Sequence, residues 1–260
     1  MQSFISIALL ITFVFHSSIT NAEIIAADSF EDYAIGNITG NNSGTGWANA
    51  WQAGSASLQA QVIDTTSSPL NYIDSENNII SGGNKAIRID KNSSSIANRS
   101  LSQSHNDTVI YASMLIQFNG NQNDNDFIGS WFSHPTYTET PNFGIKMNQG
   151  GGSGTADFVT RTKSGTEKYS TNLTSGQTYF LVMKLWKTGD ESTPYNQAEL
   201  WVNPTRLETE PAASTAISSG DSTIINFSNI GFRSVNLDSG DSVIVDRVTY
   251  GTTWQDVTGS

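Results

Sequence analysis

Apolar and polar residues alternate in short runs along most of the chain, and clusters of Gly, Asn, Asp and Ser separate the runs. Alternation of this kind is the period of a half-buried β-strand. The clearest runs are 86–90, 108–118, 142–148, 156–162, 177–187, 197–203, 223–235 and 242–250. Turn signals are explicit at 81–84, 149–154, 219–221 and 238–241. In 108–118, Ile110, Ala112, Met114, Ile116 and Phe118 form one apolar row; in 177–187, Tyr179, Leu181, Met183 and Leu185 do the same. Successive strand side chains point to opposite faces, so these rows predict a core. The opposite rows are mixed, with Tyr111, Ser113 and Gln117 on one and Thr178, Lys184 and Trp186 on the other. One buried face and one half-wet face predict an all-β, two-sheet antiparallel jelly-roll sandwich. Almost nothing reads as helix, and neither a composition break nor a repeat divides residues 23–260, which predicts a single domain.

The exception to the pattern is the start. Phe4 to Phe15 is an apolar run too short for a stable membrane anchor, and Thr20-Asn21-Ala22 offers small residues for cleavage. Residues 1–22 are therefore expected to be a signal peptide. The mature chain is expected to be secreted, extracellular or periplasmic, with no membrane insertion. There are no cysteines, which excludes disulfides and thiol chemistry. A formal net charge of −11 argues against nucleic acid and anionic membranes as partners, and fits a monomer kept apart by self-repulsion. Charged residues make up only 14% of the chain. The abundant Asn, Ser, Thr and Gly give a surface that hydrogen-bonds without strong fields, as neutral sugars require.

Several phrases recur in order along the chain: Asp28-Ser29-Phe30-Glu31-Asp32-Tyr33, Gly44-Thr45-Gly46-Trp47, Asn125-Asp126-Phe127, Asn142-Phe143-Gly144-Ile145-Lys146, Gly176-Gln177-Thr178-Tyr179, Leu200-Trp201-Val202-Asn203-Pro204, Ile230-Gly231-Phe232-Arg233, and Asp246-Arg247-Val248 with Gly251-Thr252-Thr253-Trp254. On these the chain resembles the concanavalin A-like (LamG-like) jelly-roll domains of secreted bacterial proteins, many of which carry a PEP-CTERM sorting tail. Here no Pro-Glu-Pro motif, apolar helix or basic tail precedes Ser260, so sorting by that route is not expected. The resemblance implies that the first and last strands meet, and that Trp47, Trp51 and Trp254 plug the sandwich ends. It leaves activity open, because lectins, carbohydrate-binding modules, glycosidases and lyases share the fold.

The catalytic patterns of that fold are missing. Laminarinase-like enzymes place carboxylates at alternate strand positions, a separation suited to retaining glycosidases. Here the nearest pairs, Glu208 with Glu210 and Asp124 with Asp126, read as loop and turn. A lyase would need basic groups to neutralise a uronate carboxylate while a base takes the neighbouring proton. His134, Tyr137, Lys146, Arg161, Lys163 and Lys184 are of the right type but lie in no lyase motif. No Gly-x-Ser-x-Gly elbow serves serine hydrolysis, and the two histidines after residue 22, His105 and His134, without cysteine do not make a zinc site. Asp246 alternates with Ile244, Val248 and Tyr250, and a carboxylate in an apolar row needs a partner. The fold family often holds calcium where terminal strands meet, so Asp28, Glu31 and Asp246 are the expected ligands of a structural calcium. A salt bridge to Arg88, Arg99 or Arg233, or simple exposure at a strand edge, is the alternative.

Sugar rings stack on aromatic faces while amides and carboxylates take their hydroxyls. Trp186 and Trp201 fall off the core rows, Trp131 is ambiguous, and Tyr137 follows Pro135 in a loop. With Asp124, Asp126 and Lys184 these form the expected ligand-binding set. The sequence thus predicts a non-catalytic, lectin-like module for extracellular polysaccharide. A polysaccharide lyase or glycoside hydrolase, or a structural or adhesive envelope protein, are the alternatives.

Overall fold

The computed structural model describes residues 23–122, 125–133, 139–148, 156–205 and 207–259. The strands are β1 (Ile24–Asp28), β2 (Gly36–Asn37), β3 (Gln61–Asp64), β4 (Asn71–Ile73), β5 (Ile79–Ser81), β6 (Lys85–Ile89), β7 (Ser93–His105), β8 (Val109–Asn119), β9 (Phe127–Phe132) and β10 (Asn142–Lys146). They continue as β11 (Phe158–Arg161), β12 (Lys168–Ser170), β13 (Thr178–Trp186), β14 (Gln197–Val202), β15 (Ala216–Ser219), β16 (Phe227–Val235) and β17 (Ser242–Gly251), followed by the short helix α1 (Trp254–Thr258). Among the described residues they build a nine-stranded sheet, β15-β14-β13-β8-β17-β6-β3-β2 with β1 on β17, and a six-stranded sheet, β12-β11-β10-β9-β16-β7. A hairpin, β4-β5, stands apart. Every pairing is antiparallel, as the alternating sequence predicts for a jelly-roll sandwich.

The two predicted core rows are buried and face the inner side of the six-stranded sheet. Ile110 through Phe118 and Tyr179 through Leu185 join Ile128, Phe132, Phe143, Phe158, Ile230 and Phe232 in one cluster. A second, smaller core lies on the outer side of the nine-stranded sheet. There the hairpin (Leu70, Ile80), Leu207 and α1 (Trp254, Val257) cover Tyr111, Leu115, Phe180, Val182 and Trp201. A capping box starts α1: Thr253 accepts from the Asp256 N–H while the Asp256 side chain accepts from the Thr253 N–H.

The chain ends meet as expected. β1 pairs with the second half of β17, from Asp28 opposite Val248 to Ile24 opposite Gly251. Trp51 and Trp254 are buried, and Trp47 is half-buried with its Nε1–H donating to the Ala27 carbonyl. One expectation fails here. Asp246 does not share a face with Val248 and Tyr250, because the pairing of β17 with β8 slips between Asp246 and Thr249. This bulge, with Arg247 at φ 49°, inserts one residue and reverses the phase of alternation. Val243, Val245, Val248 and Tyr250 all reach the main core, and Asp246 turns toward the opposite side.

Candidate functional site

The candidate site is a groove on the outer face of the six-stranded sheet. Alternation sends Ile128, Ser130 and Phe132 of β9 inward and leaves Phe127, Gly129 and Trp131 outward. The neighbouring strands extend this outward face. Asn142 of β10 lies between Trp131 and Arg161, and Gly231 of β16 lies on the other side of Trp131. One row along, Arg233 pairs with Gly129, and Lys146 pairs with Phe127 in the next. The resulting cavity has a volume of about 240 Å³, and Phe127, Trp131, Asn142, Lys146, Arg161 and Arg233 are among its lining residues.

Trp131 does not offer the open stacking face expected of it. It is 1% exposed, with the Arg161 guanidinium carbon 4.6 Å and the Arg233 carbon 5.7 Å from its ring centroid. The tryptophan is a platform for two arginines, an arrangement that fixes their planar heads. Glu167, from the loop before β12, pairs with Arg161 at 2.6 Å, and that contact holds its carboxyl below the usual range against the opposing effect of burial. Lys146 sits 6.0 Å from the Tyr169 ring centroid. The Asn142 side chain is buried, and neither its amide nitrogen nor its oxygen has a hydrogen-bond partner among the described residues. A buried, unpaired amide is costly unless something that enters the groove completes it.

The other predicted ligand-binding residues are elsewhere. Trp201 is 2% exposed and packs edge-on to Trp254 at 5.3 Å, so it belongs to the second core and not to a sugar platform. Its outward position was read correctly, but α1 and the loop at Leu207 cover it. Trp186 and Lys184 lie on the nine-stranded sheet, on the far side of the molecule from the groove. Lys184 bonds Glu210 at 2.8 Å and lies 5.7 Å from the Trp186 ring. Tyr111 donates to the other Glu210 oxygen at 2.6 Å, which ties that carboxylate down as a structural anchor. Asp126, just before β9, is fully buried, so its carboxylate is not open to a ligand's hydroxyls. Asp124, Tyr137 and His134 lie outside the described residues, as does the expected signal peptide. The residues missed by sequence reasoning are Phe127, Asn142 and Arg233. All were reachable from alternation, since Ile128, Phe143 and Phe232 point inward and their neighbours must point out.

The expected calcium set also divides. Asp28 is taken up by Arg99 at 2.9 Å, Trp51 Nε1 at 2.8 Å, the Phe30 N–H at 2.9 Å and the Tyr33 hydroxyl. It is a salt-bridge partner and not a metal ligand. Glu31 and Asp246 do come together, flanking Gly82-Gly83. A Cβ on Gly82 would collide with the Asp246 carboxylate and one on Gly83 with the Glu31 carboxylate. Glu31 accepts the Lys85 N–H at 2.8 Å, and Asp246 accepts those of Gly83 at 3.0 Å and Arg247 at 2.6 Å. Burial, helped by the Glu31 charge, pushes the Asp246 carboxyl up to about 7. Among the described residues no three His, Asp or Glu side chains form a metal cluster. Glu31 and Asp246, with Lys85 Nζ on the Glu31 carbonyl and Arg247 next to Asp246, are the side chains through which a calcium ion would be held, and its contribution there would be structural.

No family model and no curated protein matches the chain. Solved structures do. The catalytic domain of a glycoside hydrolase family 131 protein from Coprinopsis cinerea matches at 13% identity and TM-score 0.50, over 87% of this chain and 93% of that one. A family 16 glycosyl hydrolase from Mycobacterium smegmatis matches at 17% and 0.43, over 88% and 100%. The alginate lyase Aly36B in complex with an alginate tetrasaccharide matches at 12% and 0.45, over 86% and 95%. At these identities the likeness is one of fold: the chain is similar to the sandwich of the family 131 domain across nearly its whole length.

Proposed function

We propose that the protein binds an extracellular polysaccharide, without catalysis, in the groove over the six-stranded sheet. The observation that carries this reading is the meeting of half-exposed Phe127, the amide of Asn142 and three cationic side chains on one open sheet face. A sugar ring packs its C–H face on Phe127 while its polar groups reach Asn142 and the cations. The test is pull-down on a panel of insoluble polysaccharides and a glycan array, with the wild type and Phe127→Ala. Binding to at least one polymer that the variant loses supports the reading; silence across the panel overturns it.

Lys146 and Arg161, two of the residues a lyase would need, both lie in the groove, and this favours elimination at a uronate as the second reading. New ultraviolet absorbance from unsaturated uronate would establish it. Binding without such absorbance supports the non-catalytic reading.

A further inference from the structure

The chain carries a formal net charge of −11, yet its groove is cationic. Among the described lining residues Lys146, Arg161 and Arg233 face a single acid, Glu167. Asp126, next to Phe127 in sequence, is fully buried and is not among the residues that line the cavity. A local reversal of sign against the rest of the surface concentrates anions at this face.

We infer that the groove selects a carboxylate-bearing glycan, a polyuronate, and that the sugar carboxylate lodges between Arg161 and Arg233 above Trp131, beside Asn142. This rests on the glycan-binding reading and adds the class of sugar. Guanidinium groups match a planar carboxylate in a two-pronged geometry that neutral hydroxyls cannot complete. The Trp131 ring beneath both guanidinium groups holds them in place before a ligand arrives, which reduces the ordering cost on binding. The carboxylate offers only acceptors, and the Asn142 amide nitrogen is a buried donor with no partner among the described residues. The Asn142 oxygen is equally unpartnered and takes a neighbouring hydroxyl of the same sugar. A neutral glucan satisfies the amide but brings no negative charge to the guanidinium groups, so it binds more weakly.

The experiment is isothermal titration at low ionic strength with three probes: a soluble polyuronate, the same polymer with its carboxyl groups reduced to alcohols, and a sulfated polysaccharide of matched charge density. Reduction of the carboxyls is expected to weaken binding by about tenfold or more, and the sulfated polymer is expected to bind less well than the polyuronate. Arg233→Gln and Lys146→Gln are each expected to weaken polyuronate binding by about tenfold with the thermal midpoint nearly unchanged. Lys146 is half-exposed, so its variant stays informative if loss of Arg233 from the Trp131 stack impairs folding. Equal affinity for the reduced polymer overturns the carboxylate inference and leaves glycan binding standing. Equal or tighter binding of the sulfated polymer also overturns it. Polyuronate binding untouched by Lys146→Gln places the ligand elsewhere and overturns it too. No binding of any probe overturns both the inference and the reading beneath it.

Discussion

Arg99 of β7 and Asp28 of β1 form an ion pair at 2.9 Å with side chains only 1% and 2% exposed. The pair joins the first strand of the nine-stranded sheet to the edge strand of the six-stranded one. Arg99 also donates to the carbonyls of Asn49 and Ser43 and to the Asn42 side chain, and lies 5.0 Å from the Trp47 ring. Burial pushes the Asp28 carboxyl up, while the Tyr33, Trp51 and Phe30 donors and the Arg99 charge pull it back. Losing one member leaves the other buried and uncompensated, which costs about 3–5 kcal/mol. Arg99→Met is therefore expected to lower stability to urea by that order, and the double variant with Asp28→Asn to recover part of the loss. Equal stability of Arg99→Met and wild type would refute the pairing as the tie between sheets.

Asp246 gives the pH response an unusual sign. Its folded carboxyl titrates near 7 against an ordinary value of 3.8. Between those values the folded state holds a proton that the unfolded state has released, so stability falls as pH rises. Below about 4 both states are protonated, and above about 7 both are ionised, so this contribution levels off on either side. The full cost of ionising the buried group is on the order of 4 kcal/mol. Thermal midpoints from pH 4 to 8 are expected to carry this downward component, and Asp246→Asn to remove it. An unchanged slope in the variant would assign the effect to other groups.

The same carboxylate predicts a cation response. At pH 8 Asp246 is ionised beside Glu31, and no third acid among the described residues joins them. Calcium held by this pair would stabilise the fold by about 2.7 kcal/mol at a hundredfold excess over its dissociation constant. Millimolar calcium is expected to raise the thermal midpoint of the wild type at pH 8 and to leave Asp246→Asn unmoved. A wild type indifferent to calcium and chelator would show that the backbone N–H donors alone support the pair.

Two tryptophans that look alike in sequence should separate sharply. Trp201 is buried against Trp254, and its replacement by Ala is expected to cost about 3–5 kcal/mol in urea unfolding. Trp186, half-exposed beside Lys184, should cost under about 1 kcal/mol. A large loss at Trp186 would mean that the far face of the nine-stranded sheet is covered as well.

These two residues show where alternation stops being legible. It locates the outward row of a strand, but not what later folds over that row. Trp201 is covered by the loop around Leu207, just past the end of its own strand, and by α1, far along the chain. Runs with strong apolar contrast, such as the one ending at Phe118, gave strands within a residue or two of their observed limits. Strand β7, Ser93–His105, was invisible because it is rich in Ser and Asn, residues that usually read as turns. The bulge at Arg247 was equally silent, since nothing in Asp246-Arg247-Val248 announces an extra residue. In the groove, Lys146 and Arg161 were legible as basic residues of the right type. The meeting of Arg161 with Arg233 over Trp131 depends on β16 lying beside β9, a pairing that no local pattern encodes.

Gly129 offers a test of the groove that changes no charge. It sits in β9 opposite Arg233, between the outward side chains of Phe127 and Trp131. A Cβ there would lie 2.7 Å from the Phe127 ring and 3.1 Å from the Trp131 indole nitrogen, so the rings must shift into the space a sugar would use. Ala suits a strand interior better than Gly by about 0.5–1 kcal/mol of backbone entropy, which offsets the crowding and keeps Gly129→Ala folded. Its thermal midpoint is expected within a few degrees of wild type. Polysaccharide binding is expected to weaken by about tenfold, because Phe127 is displaced from the face it presents. Titration of the variant against the same polymer checks this, and an unaltered affinity would move the binding face away from the six-stranded sheet altogether.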